Sequence, residues 1–326
     1  MLTIYVQTKS GIEPTKITNA NKTLLDKAIW IDLLSPTEEE EQIVEKYLKL
    51  GIPTKKEMEE IEPSSRLYAE QDSLFMTVTM IAQSDHPEAK ADAVTFILSD
   101  NKVITVRYID PLSFNLFISK LKRLKTIECN AVEILIGLLE TATDRLADIL
   151  EKVSYKFDEI SHMIFHKNES NGTSGEITHT QLLQAIGING VLGTKTRDSL
   201  VTFNRLGLFL EQKYAAKMDN DLKSRLAVIN KDIRALSDYA VFISSEVNFL
   251  LDATLGMINI EQNSIIKIFS VAAVIFLPPT LIASIYGMNF KHMPELAWLG
   301  GYPVSIGFMI ISAFIPYQYF RKKKWL

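Results

Sequence analysis

Two uninterrupted apolar segments stand near the end of the chain, separated by a short polar loop. The first covers roughly residues 265–286 and the second roughly residues 303–320. The first segment has one charged residue, Lys267, and the second has none. Because an α-helix rises about 1.5 Å per residue, about 20 apolar residues cross the ~30 Å hydrocarbon core of a bilayer. The pattern therefore predicts two membrane-spanning helices joined by a loop over residues 287–302.

Basic residues fix the orientation of these spans. Residues 321–324 are Arg-Lys-Lys-Lys, and Lys and Arg beside a span are retained on the cytoplasmic side. The tail, 321–326, is therefore predicted to be cytoplasmic, and two spans place the N-terminus there as well, in a cell inner membrane or plasma membrane. A single cysteine, Cys129, offers no disulfide framework, as expected of a large domain in a reducing compartment.

The first 129 residues mix strand and helix patterns. Strands are predicted near residues 2–7, 30–34 and 73–82, and a hairpin joins 93–99 to 103–107. A helix is predicted to start at Ser35-Pro36-Thr37-Glu38, with a cap, a proline in the first turn and an acidic residue at the capping-box position. We predict an α/β cytoplasmic domain over residues 1–129.

Helical periodicity replaces the strand pattern from about residue 130. An antiparallel helical hairpin is predicted over 130–220, with the polar run 167–175 as its tip. A third helix then runs over 221–286 and leads into the first span, because Gly256 is its only interruption and an isolated glycine seldom ends a helix. About 65 residues at 1.5 Å each give a rod roughly 100 Å long.

One face of the first span is small or weakly polar. Steps of three and four residues along it visit Asn263, Ile266, Ser270, Ala273, Leu277, Thr280 and Ser284. Small residues commonly pack a helix against one neighbour in a membrane. The other interpretation is a pore lined by one such helix from each subunit of a ring, which requires a homo-oligomer because two spans cannot enclose a channel.

Several runs of residues resemble the CorA family of divalent-cation channels. They are Tyr286-Gly287-Met288-Asn289-Phe290 followed by Met293-Pro294-Glu295-Leu296, the upstream run 276–284, and the Lys-Lys-Lys-Trp-Leu end. The resemblance covers the full length and is densest from about residue 247 to residue 326. A lone Gly-Met-Asn would be weak evidence, but in this position between two spans it is specific. One departure is Lys291, where the family often has an acidic residue.

The resemblance implies a homopentameric, funnel-shaped channel in which the long helix lines the pore. It implies Mg²⁺ as the usual cargo, with Co²⁺ and Ni²⁺ also carried, and passive influx gated by intracellular Mg²⁺. Gly287 and Asn289 would form the outer selectivity ring with Met288 between them, and Leu277 and Thr280 would line the pore. The regulatory metal sites of the family are acidic and lie between subunits. Position alone suggests four candidates here, namely Asp85, Glu88, Asp92 and Asp232.

The chemistry of the filter residues supports this assignment independently. Mg²⁺ dehydrates reluctantly and usually keeps several waters. Neutral oxygens from Asn289 side chains and the Gly287 backbone can hydrogen-bond those waters without stripping them. Neither span contains a carboxylate, and conduction requires sites weak enough for the ion to leave.

Other functional classes lack sequence support. No glycine-rich phosphate loop supports an ATP-driven pump, and no nucleophile has a credible base, so neither an enzyme nor an organic cofactor is expected. No basic patch interleaved with aromatics suggests a nucleic acid partner. Two rivals stay open: a zinc transporter of the same architecture, which usually departs from Gly-Met-Asn at the middle residue, and a non-conducting, membrane-anchored signalling protein.

Overall fold

The computed structural model describes residues 1–8, 11–16, 22–86, 88–99, 101–123, 130–165, 178–289, 291–323 and 325. The chain divides into two units, Met1–Leu251 and Asp252–Leu326. The first unit holds a sheet and long helices, and the second holds two apolar helices joined by a loop.

A seven-stranded sheet forms the centre of the first unit, in the order β2-β1-β3-β7-β6-β5-β4. Strands β3 and β7 are parallel, whereas the other neighbouring pairs are antiparallel. The strands are β1 (Leu2–Thr8), β2 (Gly11–Lys16), β3 (Ala28–Leu34), β4 (Leu67–Glu70), β5 (Ser73–Ala82), β6 (Lys90–Ser99) and β7 (Lys102–Arg107). The predicted hairpin is β6–β7, in which Ser99 pairs with Lys102.

Three short helices connect β3 to β4, and the other helices follow β7 in the chain. Four short ones are α1 (Glu38–Leu48), α2 (Lys55–Met58), α3 (Pro63–Arg66) and α4 (Leu112–Arg123). Four long ones are α5 (Ala131–Phe165), α6 (His179–Tyr214), α7 (Asn220–Tyr286) and α8 (Gly301–Lys322). The long helix α7 continues through Gly256, as predicted, and also through Pro278 and Pro279. The predicted hairpin tip and Cys129 lie outside the described residues.

The start of α1 differs from the prediction. Thr37, not Ser35, is the N-cap: its hydroxyl accepts from the Glu40 backbone N–H, while the Glu40 carboxylate accepts from the Thr37 N–H. Ser35 has a φ of 43° and lies in the preceding turn, so Pro36 precedes the helix instead of lying in its first turn. The sequence contains two overlapping Ser/Thr-x-x-Glu patterns, one starting at Ser35 and one at Thr37. The helix uses the one at Thr37, which places four glutamates in its first turn.

A buried ion pair crosses the parallel strands β3 and β7. Asp32 and Arg107 are 2% and 3% exposed. The Arg107 guanidinium donates from Nε to Asp32 Oδ1 at 3.0 Å and from Nη2 to Oδ2 at 2.8 Å. The Thr105 hydroxyl also donates to Asp32, and the Trp30 indole donates to that hydroxyl. The carboxylate is therefore satisfied from several sides inside the core.

Candidate functional site

The second unit carries two helices with the length and composition of membrane spans. The most apolar windows of α7 and α8 have mean hydropathies of 2.2 and 1.3, and only 6% of each window is buried within the chain. Such an apolar surface must be covered by lipid or by other chains, because water would solvate it poorly. Helix α8 includes the predicted second span, 303–320, and extends beyond it at both ends.

The Gly-Met-Asn sequence begins where α7 ends. The Gly287 N–H donates to the Ala283 carbonyl at 2.9 Å and the Met288 N–H to the Ile285 carbonyl at 3.2 Å, which closes the last turn. Asn289 follows outside the helix, and all three residues are exposed. A helix C-terminus leaves carbonyl oxygens without intrahelical partners and carries the negative end of the helix dipole. The three residues therefore lie at an end of α7 that favours a cation.

A tight loop connects this end to α8. Residues Pro294–Ala297 form a single 3₁₀ turn, and the Gly301 N–H donates to the Trp298 carbonyl at 2.9 Å. Any side chain at Gly301 would collide with the Glu295 carbonyl, so glycine permits this close approach. Lys291, Pro294 and Glu295 are exposed and Met293 is partly buried. Phe290 and the side chain of Leu296 lie outside what the structure describes.

The predicted pore-lining face of α7 is uncovered within the chain. The seven residues predicted to line the pore, which begin at Asn263 and end at Ser284, are all exposed. Ile266 and Leu277 are 61% and 65% exposed. Less exposed residues lie on another side of the helix, and Ile282, Ile285 and Tyr286 face Phe308, Ile311 and Ile315 of α8 across a groove of about 460 Å³. Phe269 and Phe276 are also exposed, so exposure alone does not separate a pore face from a lipid face.

Polar backbone groups interrupt the apolar middle of α7. Pro278 and Pro279 have no N–H, so the carbonyls of Val274 and Ile275 lack their usual helical donors. One turn along, the Thr280 hydroxyl donates to the Phe276 carbonyl at 2.8 Å. These groups need polar partners at membrane depth, because an unsatisfied carbonyl costs several kcal/mol in hydrocarbon.

The four regulatory candidates lie in different settings. Asp85 is bound by two cations, the Arg145 guanidinium at 3.0 Å and the Lys152 ammonium at 2.9 Å. The hydrogen bond from Lys152, with the nearby charge of Arg145, holds the pKa of Asp85 below its usual range. Asp92 accepts from the Ala93 N–H, and Glu88 and Asp232 are exposed. Among the described residues, no three His, Cys, Asp or Glu side chains are grouped as a metal site within the single chain.

One contact at the other end of the spans has no counterpart in the sequence predictions. The Lys267 ammonium lies 5.4 Å from the centroid of the Trp325 ring, and Trp325 stacks on Phe320 at 5.6 Å. A cation over an indole is attracted by the ring quadrupole. The available signal was the position of Trp325 directly after the basic run, since tryptophan is enriched at membrane interfaces.

Comparison with known proteins decides the family. The family model described as "CorA-like Mg2+ transporter protein" matches residues 26–322. The chain belongs to the CorA family of Mg²⁺ transporters. It is 38% identical over 302 residues to the "Magnesium transport protein CorA" of Pasteurella multocida, covering 93% of each chain. It is 36% identical over 312 residues to the protein of that name from Mannheimia succiniciproducens, covering 96% of each.

The fold agrees with a solved CorA structure. The complete CorA magnesium transporter from Methanocaldococcus jannaschii superposes with a TM-score of 0.76 at 17% identity, covering 100% of this chain and 99% of that one. The CorA family consists of membrane transporters and not of enzymes, so this chain is a membrane-bound magnesium transporter of that family. The family match begins before β3 and runs to the end of α8, and therefore includes the Gly-Met-Asn end of α7.

Proposed function

We propose that this CorA protein is a passive Mg²⁺ channel whose outer selectivity filter is formed by Gly287, Met288 and Asn289. The observation that carries the proposal is their exposure directly after the C-terminal end of α7. There the unpaired carbonyls and the dipole attract a cation without supplying a full negative charge. A weak, neutral attraction suits an ion that must enter and also leave.

The proposed channel is a ring of identical subunits, a pentamer by family resemblance. One chain contributes two spans, which cannot surround an aqueous path. The face from Asn263 to Ser284 is left uncovered within the chain and includes hydroxyl and amide groups. In a ring these groups face one another and water, which satisfies them better than lipid does.

Mg²⁺ is proposed to pass the filter with much of its water attached. The Asn289 amide oxygen and the Gly287 carbonyl accept hydrogen bonds from coordinated water, so the ion need not lose its shell. Farther along, Thr280, Ser284 and Asn263 supply neutral oxygens. Ile266, Ala273 and Leu277 provide apolar collars that close the path when water leaves it.

The outer loop contributes opposing charges at the entrance. A ring of Lys291 side chains repels cations, and a ring of Glu295 side chains attracts them. Both residues are exposed, so salt screens their effect on the entering ion. The loop between the two spans contains Met293, Pro294, Glu295 and Leu296, and its 3₁₀ turn begins at Pro294.

The proposed location is the cell inner membrane or plasma membrane, with both termini in the cytoplasm. The basic run after α8 supports this orientation. Intracellular Mg²⁺ is proposed to close the channel by binding between subunits. Of the four candidates, Asp85, Glu88 and Asp232 are exposed, and Asp85 would first have to give up Arg145 and Lys152. Co²⁺ and Ni²⁺ are proposed as additional cargo.

The two rivals are weaker. Curated relatives over nearly the whole chain are named magnesium transport proteins, and Met288 keeps the Gly-Met-Asn sequence, which argues against zinc as cargo. In a non-conducting anchor, the exposed amide of Asn289 at the end of the span would have no function.

Titration of the cytoplasmic side tests the gating and cargo parts of the proposal. Purified protein in liposomes with external Mg²⁺ is expected to show influx that falls as Mg²⁺ on the side of the sheet domain rises, with Co²⁺ and Ni²⁺ competing from outside. Glu88→Gln and Asp232→Asn each test one candidate and are expected to shift inhibition to higher Mg²⁺, whereas Glu70→Gln, an exposed carboxylate elsewhere on the sheet domain, serves as the matched control. Influx insensitive to internal Mg²⁺ would contradict self-regulation, and efficient Zn²⁺ flux would favour the zinc rival.

A further inference from the structure

Three glycines of α6 face α7 within the first unit. A side chain at Gly190 would have its Cβ 3.3 Å from Val247, and at Gly193 3.4 Å from Ile243. At Gly207 it would collide with the amide oxygen of Asn230. Gly207 follows Gly190 by 17 residues on α6, and its partner Asn230 precedes Val247 by 17 residues on α7. The two helices are therefore antiparallel in one register along this contact.

Asn230 is a polar residue in this otherwise apolar part of the contact. It is 5% exposed, and its Nδ2 donates to Glu211 Oε2 at 3.2 Å. Its Oδ1 is buried, has no hydrogen-bond partner among the described residues, and lies against Gly207. An unsatisfied buried acceptor costs about 1–3 kcal/mol, so an apolar residue of similar size would be more stable here. The amide therefore needs a reason other than stability.

The apolar contacts of α7 with α6 would survive a slip, and the Asn230 contact with α6 would not. Arg225 and Tyr239 of α7 hydrogen-bond a different helix, at Glu140 and Ser154 of α5. Leu226 and Ile233, one turn on either side of Asn230, are buried and apolar. A slip of α7 by one turn, about 5.4 Å, would exchange one aliphatic side chain for another at most positions. It would also take the Asn230 amide away from Glu211 and from the space that Gly207 leaves. A single buried asparagine fixes helix register in coiled coils at a cost in stability, by the same physical argument.

We propose that Asn230 is a positioning residue that fixes the axial register of α7 on α6. The same helix continues to Tyr286 and carries the predicted pore-lining residues and the filter. We expect a slip at Asn230 to be passed along this continuous helix to those residues. The functional consequence rests on the proposed channel, whereas the register itself is a property of the single chain.

Cysteine cross-linking measures the register directly. In a Cys129→Ser background, the pair Gly190→Cys with Val247→Cys reports the native register. A Cβ at Gly190 lies 3.3 Å from Val247 Cγ1, the place that a cysteine sulfur would take, so a disulfide can form. The pairs Gly190→Cys with Ser244→Cys and Gly190→Cys with Leu251→Cys report slips of about one turn in either direction. Mass spectrometry of the full-length protein quantifies intrachain cross-links for each pair.

Asn230→Leu is expected to lower the native cross-link yield by about half or more and to raise a slipped one, since two registers become similar in energy. Its thermal stability is expected to stay equal or rise, because the unpaired acceptor is gone. Mg²⁺ influx is expected to fall by about two- to thirty-fold, the range for residues that couple distant sites. Ile243→Leu, a volume-conserving change in the same contact, is the matched control and should alter neither cross-linking nor influx.

Two results would overturn the proposal. An unchanged cross-link pattern in Asn230→Leu would show that the apolar contacts alone fix the register. A slipped pattern with wild-type influx would show that register does not reach the pore. The proposed function is tested separately, by influx through the wild-type protein. If the wild-type protein shows no influx, the channel proposal is wrong, but the cross-link yields still show whether Asn230 fixes the register.

Discussion

Asn289→Ala is expected to reduce Mg²⁺ influx by about ten- to a hundred-fold. The substitution removes the amide oxygen that we propose accepts hydrogen bonds from the water shell of the ion, and hydrogen bonds to charged groups contribute about 1.5–3 kcal/mol each. Every subunit of the proposed ring would lose the group at once. Because Asn289 is exposed and outside α7, thermal stability is expected to stay unchanged.

Stopped-flow influx into proteoliposomes, recorded with an internal Mg²⁺-sensitive dye, measures this effect. His292→Ala is the matched control, because His292 is an exposed polar residue of the same loop and lies outside the filter. Asn289→Asp adds a second comparison: a charged ring should bind Mg²⁺ more tightly and release it more slowly, which lowers both KM and the maximal rate. Wild-type influx through Asn289→Ala would exclude the amide ring as the filter.

Arg107→Met is expected to destabilise the sheet domain by about 3–5 kcal/mol, the usual cost of removing one partner of a buried ion pair. Asp32 would keep the Thr105 hydroxyl as a donor but lose both guanidinium bonds while only 2% exposed. Its carboxylate would then be a buried charge with no cation bonded to it. Loss of the guanidinium stacked 4.3 Å from the Phe114 ring adds to the effect.

Chemical unfolding of the full-length protein in detergent, followed by fluorescence of the buried Trp30, measures the free energy of unfolding. Arg145→Met removes a more exposed arginine that also binds an aspartate, and its cost is expected to be about 1 kcal/mol or less. The double variant Asp32→Leu/Arg107→Met should recover much of the stability, since no charge is left unpaired. An equal, small effect of Arg107→Met and Arg145→Met would contradict this account of the core.

Local patterns predicted much of the architecture. Periodicity was sufficient for the two spans, for α5 and for α7 as one helix from Asn220 to Tyr286. It was insufficient for β2, a strand that contains Pro14 and pairs only with β1 among the described strands. The parallel pairing of β3 with β7 and the ion pair between them join residues far apart in the chain, and no local signal specifies such a contact.

The filter, the pore-lining face and the regulatory residues of the candidate site were predicted on different kinds of evidence. The filter residues were predicted by resemblance, because Gly-Met-Asn stands at a fixed place between two spans. The lining face followed from helical spacing, but spacing does not distinguish a pore from lipid, as exposed Phe269 and Phe276 illustrate. The regulatory candidates rested on position alone. The partners of Asp85 show why that is weak, since Arg145 and Lys152 are brought to it only by the tertiary structure.

We propose that this chain alone conducts Mg²⁺ passively. The most direct test is Mg²⁺ influx into liposomes that contain only the purified wild-type protein, without nucleotide, at a series of imposed membrane potentials. We expect influx that grows as the interior becomes more negative, since each divalent ion gains about 4.6 kcal/mol per 100 mV. Folded, membrane-inserted protein that admits no Mg²⁺ at any potential, with no Mg²⁺ on the cytoplasmic side, would contradict it.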